Sequence, residues 1–226
     1  MERYIKLKKK RKKRKKRKND IIMIIKDITA LFKASYGLYL LSAKNNERDN
    51  ACIINTFLQV TSNSPCICVI SVNKQNFTNE IITETRQFNL STLTVEAPFE
   101  LLKHFGYHSG RNVDKFMDFT SFTRSENGLI YLNDYANSFL SFDVMEMIDF
   151  GTHTVFKAML TDCETLNNKD SMTYDYYQKY VKPKPQAAEK KGYRCNICGY
   201  VYEGEPLPPD FICPLCKHGA VDFVKI

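Results

Sequence analysis

Residues 193–226 read YRCNICGYVYEGEPLPPDFICPLCKHGAVDFVKI. Two Cys-x-x-Cys pairs, Cys195 with Cys198 and Cys213 with Cys216, are separated by 14 residues. Each pair can wrap a tight turn around one metal ion. Together they offer four thiolates in a tetrahedron, a donor set that selects zinc or iron. Zinc has no redox chemistry and would be a structural staple, whereas iron would carry one electron at a time. Gly199 follows the first pair, where a residue without Cβ lets backbone amides turn toward the sulfurs. Pro214 stiffens the second turn. Tyr193, Tyr200, Tyr202, Phe211 and Phe223 supply aromatic area to a segment whose core would otherwise depend on the metal.

With its CNICGY and CPLCKH turns and these aromatic flanks, Tyr193–Ile226 resembles rubredoxin, in the shortened form found fused to other redox proteins. The resemblance implies one iron held by Cys195, Cys198, Cys213 and Cys216. A zinc ribbon is the alternative reading of the same spacing.

The whole chain has 226 residues and is 43% hydrophobic, enough for one medium domain besides this module. No apolar run approaches the ~18 residues of a membrane span. The apolar stretch IIMII after the basic N-terminus is too short for a secretory signal. Cys52, Cys66, Cys68 and Cys163 have no disulfide-like spacing, so a reducing cytoplasm is expected. Cys66 and Cys68 alternate in CICVISV and read as packing residues on one face. The net charge of +8 is misleading: residues 1–18 carry 13 Lys or Arg and one Glu, or +12, which leaves −4 for the rest. The run LKKKRKKRKKRK would attract polyanions, but it has no interleaved aromatics and reads as a solvated, dispensable tail ahead of Met23.

Between tail and metal motif, apolar spacing predicts a helix over Ile25–Ser35 and strands over Leu38–Ala43, Ala51–Val60 and Cys66–Val72. Ile81–Thr85 reads as helix, Gln87–Thr94 as strand, Pro98–Phe105 as helix, and Ser138–Asp149 and Thr154–Asp162 as strands. Strands outnumber helices without regular βαβ units. The expected class is therefore β-rich α+β, with a closed or folded-over antiparallel sheet. No Gly-x-Gly-x-x-Gly occurs, which excludes a Rossmann-type nucleotide site.

Six segments appear in order: YGLYLLSA, NACIINTFLQVTSNSP, VISVNKQNFTNEII, FGYHSGRNVDKF, DFGTHTVFKAMLTD and SMTYDYYQK. Together they resemble the flavin reductase-like, FMN-binding split-barrel family, in the branch where this domain precedes a rubredoxin (the high-molecular-weight rubredoxins). The resemblance implies an FMN-binding split β-barrel with a few helices, assembled as a homodimer, and FMN reduced by NADH or NADPH. The domains expected are a basic tail over 1–22, the flavin domain over 23–182, a Pro- and charge-rich linker over 183–192 and the rubredoxin-like domain over 193–226.

A flavin mononucleotide needs cations and hydroxyl or amide donors for its phosphate. VNKQNFT offers Lys74, Asn76 and Thr78, expected to alternate along an extended segment. HSGRNVDKF offers Ser109, Gly110, Arg111 and Lys115, the last two spaced to share a helix face. NTFLQVTSNSP offers Asn55, Thr56, Gln59, Thr61 and Ser62, a region that lines the isoalloxazine ring in the resembled family. The resemblance places His153, in GTHT, near the reactive face; its alternative is a core histidine. His104 reads as a helix-surface residue. The fusion implies a relay from NAD(P)H through FMN to iron and on to an external protein, of which a flavodiiron protein is the acceptor the family suggests. Two other readings stay open: a reductase that releases reduced FMN, and a zinc-ribbon protein whose basic tail grips nucleic acid.

Overall fold

A computed structural model of the chain describes Ala34 and residues 36–46, 48–183 and 192–226. The basic tail, all but Ala34 of the helix expected over Ile25–Ser35 and most of the linker lie outside the described residues. Seven antiparallel strands form the main sheet: β1 (Tyr39–Lys44), β2 (Asp49–Ile54), β3 (Phe57–Gln59), β4 (Ile67–Asn73), β5 (Gln87–Leu93), β8 (Ala136–Asp149) and β9 (His153–Thr165). Their order is β2-β1-β5-β8-β9-β4-β3. Two short strands, β6 (Phe122–Arg124) and β7 (Ile130–Leu132), pair as a separate hairpin.

The order itself forces the sheet to curl. In a flat sheet of seven strands the edges would stand about 29 Å apart, at about 4.8 Å per strand. Here the edge strands β2 and β3 are joined only by Asn55 and Thr56. Ile54 and Phe57 are thus three Cα steps apart, about 11 Å at most. The sheet must wrap until its edges face each other. No ladder joins β2 to β3 among the described residues, so the barrel closes through side chains: the rings of Tyr39 and Phe57 meet edge-on at 5.4 Å, and Phe57 reaches Phe142 at 6.0 Å. Shifts of register at Ser141/Phe142 and Val144/Glu146 in the long β8–β9 hairpin add local twist, which favours closure.

Alternation along β1 sets the two packed layers. Leu41 and Ala43 point into the barrel with Cys52, Ile70, Val72, Phe88, Leu90, Phe142 and Phe156. Leu38 and Leu40 point outward into a second core. That outer core is covered by α2 (Phe99–Tyr107), which buries Leu101, Leu102 and Phe105 on one face. It is also covered by a short helix α3 (Tyr174–Tyr176) that runs into a π-helical turn (Tyr177–Val181) and buries Tyr177. Helix α1 (Phe77–Thr85) plugs one end of the barrel with Ile81 and Ile82.

The C-terminal module has a three-stranded sheet, ordered β11 (Val201–Tyr202), β10 (Tyr193–Cys195) and β12 (Phe223–Lys225). Tyr200, Tyr202, Phe211 and Phe223 pack on one another, with Phe211 and Phe223 edge-on at 5.3 Å. The strands expected from alternation are all present, except that Ala51–Val60 is broken at Asn55–Thr56. The β6–β7 hairpin and α3 were not foreseen.

Candidate flavin cavity and metal centre

The four expected sulfurs converge. Sγ of Cys195, Cys198, Cys213 and Cys216 all lie within 4.8 Å of one another, with Cys195–Cys216 at 3.5 Å and Cys198–Cys213 at 3.4 Å. A tetrahedron with metal–sulfur bonds of about 2.3 Å sets its sulfurs about 3.8 Å apart, so the cluster fits one metal ion. The two turns are near copies. Cys195 N–H donates to Tyr200 O and Gly199 N–H to Cys195 O; Cys213 N–H donates to His218 O and Lys217 N–H to Cys213 O, at 2.8–2.9 Å. Each turn ends in a left-handed residue, Gly199 at φ 79° and Lys217 at φ 64°. Only the first position carries the residue that adopts this conformation without strain. Backbone amides of Ile197 and Cys198 reach Cys195, that of Tyr200 reaches Cys198, and that of His218 reaches Cys216. Such N–H···S bonds stabilise thiolates. The adjoining Cys216 sulfur and the Tyr200 amide hold the Cys198 thiol below the usual range.

The second site is a cavity of about 950 Å³. Its barrel side is built from two loops and a floor. The first loop leaves β4 at Asn73, whose side chain caps the Gln75 amide at 2.8 Å, and Asn76 then serves as N-cap of α1. Thr78 is therefore on a helix, not on the extended segment expected. The second loop, after α2, turns at Ser109, whose carbonyl accepts from Asn112 and Val113. Arg111 and Lys115 consequently share no helix face. Arg111 bridges the two loops, donating to Gln75 O at 2.8 Å and pairing with Glu80. The guanidinium groups of Arg48 and Arg111 both stand over the Phe77 ring, at 5.2 and 5.7 Å. Lys74 pairs with Asp149 at 2.7 Å, and this partner holds the Asp149 carboxyl below the usual range.

The floor is polar and buried. Asn50 donates to Thr78 Oγ1 at 2.7 Å. Lys115 turns inward and donates to Ala51 O and Phe105 O, at 2.7 and 2.8 Å, and burial lowers its pKa. Gly110 packs directly on Asn50: a Cβ built there would lie 2.7 Å from Asn50 Cγ. The remaining wall comes from the second cysteine turn, namely Ile212, Pro214, Leu215, Cys216 and Lys217. Cations, amides and a hydroxyl at one end and Phe77, Pro214 and Leu215 along the wall suit a phosphate-bearing aromatic cofactor.

The structure thus brings together Lys74, Asn76, Thr78, Ser109, Gly110, Arg111 and Lys115 around one cavity. Asn55, Thr56, Gln59, Thr61 and Ser62 do not line it. They lie on the β2–β3 crossing and the loop after it, where Gln59 donates to Thr61 O and Thr61 to Pro65 O. His153 opens β9 opposite Asn73, outside the cavity wall, with its Nδ1 2.9 Å from Thr152 Oγ1. Burial, and then the nearby His218 of the metal module, lower its pKa. His104 is not a free surface group: its Nε2 lies 2.7 Å from Lys115 O and its ring meets Phe105 at 4.7 Å. Asn50, Gln75, His108 and Asn112 also line the cavity and carried no signal in the sequence beyond their neighbours' motifs.

Comparison with known proteins matches this division. A family described as flavin reductase like domain covers residues 31–184, and one described as rubrerythrin, rubredoxin-like domain covers residues 193–224. The chain is 36% identical over 231 residues to a high molecular weight rubredoxin of Moorella thermoacetica, covering 88% of this chain and 100% of that one. It is 32% identical over 158 residues to a ferric-chelate reductase (NAD(P)H) of Archaeoglobus fulgidus, covering 70% of this chain and 92% of that one. An FMN-binding protein of Thermus thermophilus, solved with 1-cyclohex-2-enone, shares the fold with a TM-score of 0.54 at 21% identity, over 59% of this chain and 72% of that one.

Proposed function

This chain belongs to the flavin reductase-like family, with a rubredoxin-like domain at its C-terminus, and from that premise we propose that it is an NAD(P)H-dependent flavoprotein oxidoreductase that sends electrons through FMN to a rubredoxin-type iron and on to an external acceptor such as a flavodiiron protein. One observation carries the reading: the loops that offer phosphate-binding side chains and the cysteine turn containing Cys216 enclose the same cavity. When bound, FMN accepts a hydride and gives up electrons singly, and an iron held by four thiolates takes one at a time.

The residues divide the work. Lys74, Asn76, Ser109 and Arg111 hold and orient the phosphate end. Asn50, Thr78 and Lys115 brace the floor beneath it. Leu215 and Pro214 exclude water on the side nearest Cys216. His153 stands by the rim, its pKa lowered by burial, and Asn55, Thr56, Gln59, Thr61 and Ser62 would serve the ring end of a cofactor that extends past this cavity. The relatives' printed names support the assignment of NAD(P)H as donor. Homodimerisation is supported by exposed apolar residues on the edge strand and the long hairpin, Leu58, Val60, Met145, Ile148 and Phe150. A cytoplasmic setting is supported by eight cysteines without a disulfide among them. Among the described residues no helix is long and apolar enough to cross a membrane.

A second reading, release of reduced FMN to solution, is favoured by one feature. Lys74 and Arg111 are each already paired with an exposed carboxylate, which a phosphate must displace. Native protein purified without added flavin separates the two: retained FMN with a ferric absorption band and one iron per chain supports the relay, flavin-free protein supports release, and stoichiometric zinc from iron-replete cells refutes both the iron and the relay.

A further inference from the structure

Lys182 is the last barrel residue before the linker, and its side chain reaches from the barrel to the metal module. Its backbone N–H closes the π-helical turn on Tyr177 O at 2.8 Å, and Pro183 follows. Its Nζ donates to Ile197 O at 2.9 Å, the carbonyl in the middle of the first cysteine turn. The stem lies in an apolar cleft with Tyr107, Tyr174, Tyr177 and Cys216, and its far side faces a cleft with Cys195 and Cys198. No carboxylate pairs with it among the described residues. The half-buried ammonium instead interacts electrostatically with Cys198, Cys216 and Cys195 of the tetrathiolate centre.

We propose that Lys182 is a positioning residue of the barrel that fixes the first cysteine turn and sets the reduction potential of the iron. The inference rests on the proposed function, since it needs iron in the site. Four thiolates give a ferric centre a net charge of −1 and a ferrous centre −2. A fixed cation favours the ferrous state, because the added electron makes the centre one unit more negative. Net charge and burial are the levers by which a protein tunes such a potential. At an effective dielectric of about 20 a unit charge about 12 Å from the added electron shifts the ferrous-to-ferric ratio by about tenfold, and a nearer one by more. The barrel would in this way make the docked iron the better acceptor for its own flavin, without contributing a ligand.

The test uses full-length, iron-loaded protein and equilibrium redox titration of the ferric absorption band, with no turnover. Lys182→Met and Lys182→Gln remove the charge; Lys182→Arg keeps it. Lys179→Met is the control, an exposed lysine one turn earlier whose partner is Asp175 at 2.6 Å. At a fixed applied potential, both uncharged variants should lose about tenfold in ferrous-to-ferric ratio, a midpoint about 59 mV more negative for one electron. Lys182→Arg and Lys179→Met should titrate with wild type. Iron-loaded Lys182→Met and Lys182→Gln that titrate within twofold of wild type overturn the inference and leave the proposed function standing. A wild-type protein with no ferric band removes the function itself.

Discussion

Gly110→Ala tests whether the cavity floor is built as described. The glycine is required by close approach, not by backbone angle. A methyl group there would stand 2.7 Å from Asn50 Cγ and 3.1 Å from its Nδ2. Asn50 cannot turn away freely, because it is buried and its amide is held by Thr78 Oγ1 at 2.7 Å. Overpacking of this kind costs about 1–3 kcal/mol, and losing the amide–hydroxyl bond adds about 1 kcal/mol. A total of about 2–4 kcal/mol corresponds to a Tm lowered by about 4–16 °C in a chain of this size. Differential scanning fluorimetry measures it, with Gly219→Ala as control: a Cβ there meets nothing and no positive φ is involved, so that change should stay within about 0.5 kcal/mol. The cause is isolated by repeating the substitution in an Asn50→Ala background, where most of the cost should disappear. A neutral Gly110→Ala, or an equal cost with and without Asn50, would show that the floor is not packed this way.

Arg111→Ala and Lys74→Ala should each weaken FMN binding by about 1–3 kcal/mol, roughly 5- to 150-fold in Kd, by fluorescence titration of apoprotein; unchanged affinity in both would move the phosphate site elsewhere. A chain beginning at Met23 should fold, bind both cofactors and retain its reductase rate, and a large loss of either cofactor would give the basic tail a role. Changing Cys198 and Cys216 together to Ser should abolish metal binding yet leave NAD(P)H-dependent flavin reduction near its original rate, while transfer to a one-electron protein acceptor collapses. An acceptor reduced as fast by that variant as by wild type would favour release of free reduced flavin.

Much of the fold was legible because it rests on alternation. Leu41 and Ala43 in β1 and Ile70 and Val72 in β4 betray their strands by side-chain pattern alone, and the cysteine spacing fixes the metal centre almost by itself. The β6–β7 hairpin was missed because each strand has three residues, too few for a period to show. The loop residues were found by type, but their conformation was misread. Asn76 is a helix N-cap with Glu80 in the first turn, a start signal present in NFTNE that sets the helix at Phe77, not Ile81. Lys115 was spaced for a helix with Arg111, but α2 ends at Tyr107 and the Ser109 turn rotates the lysine inward. The pairing of Lys182 with Ile197 joins two domains across the linker, and no local pattern in either encodes it.

The central claim is that flavin and iron work in series within one chain. Anaerobic rapid mixing of FMN- and iron-loaded protein with NADH, and separately with NADPH, tests it directly by following both chromophores at once. With at least one of the two donors, the flavin band should bleach first and the ferric band afterwards, at a rate independent of protein concentration. Ferric bleaching that precedes flavin bleaching, or a ferric band that persists beside fully reduced flavin, would contradict the account.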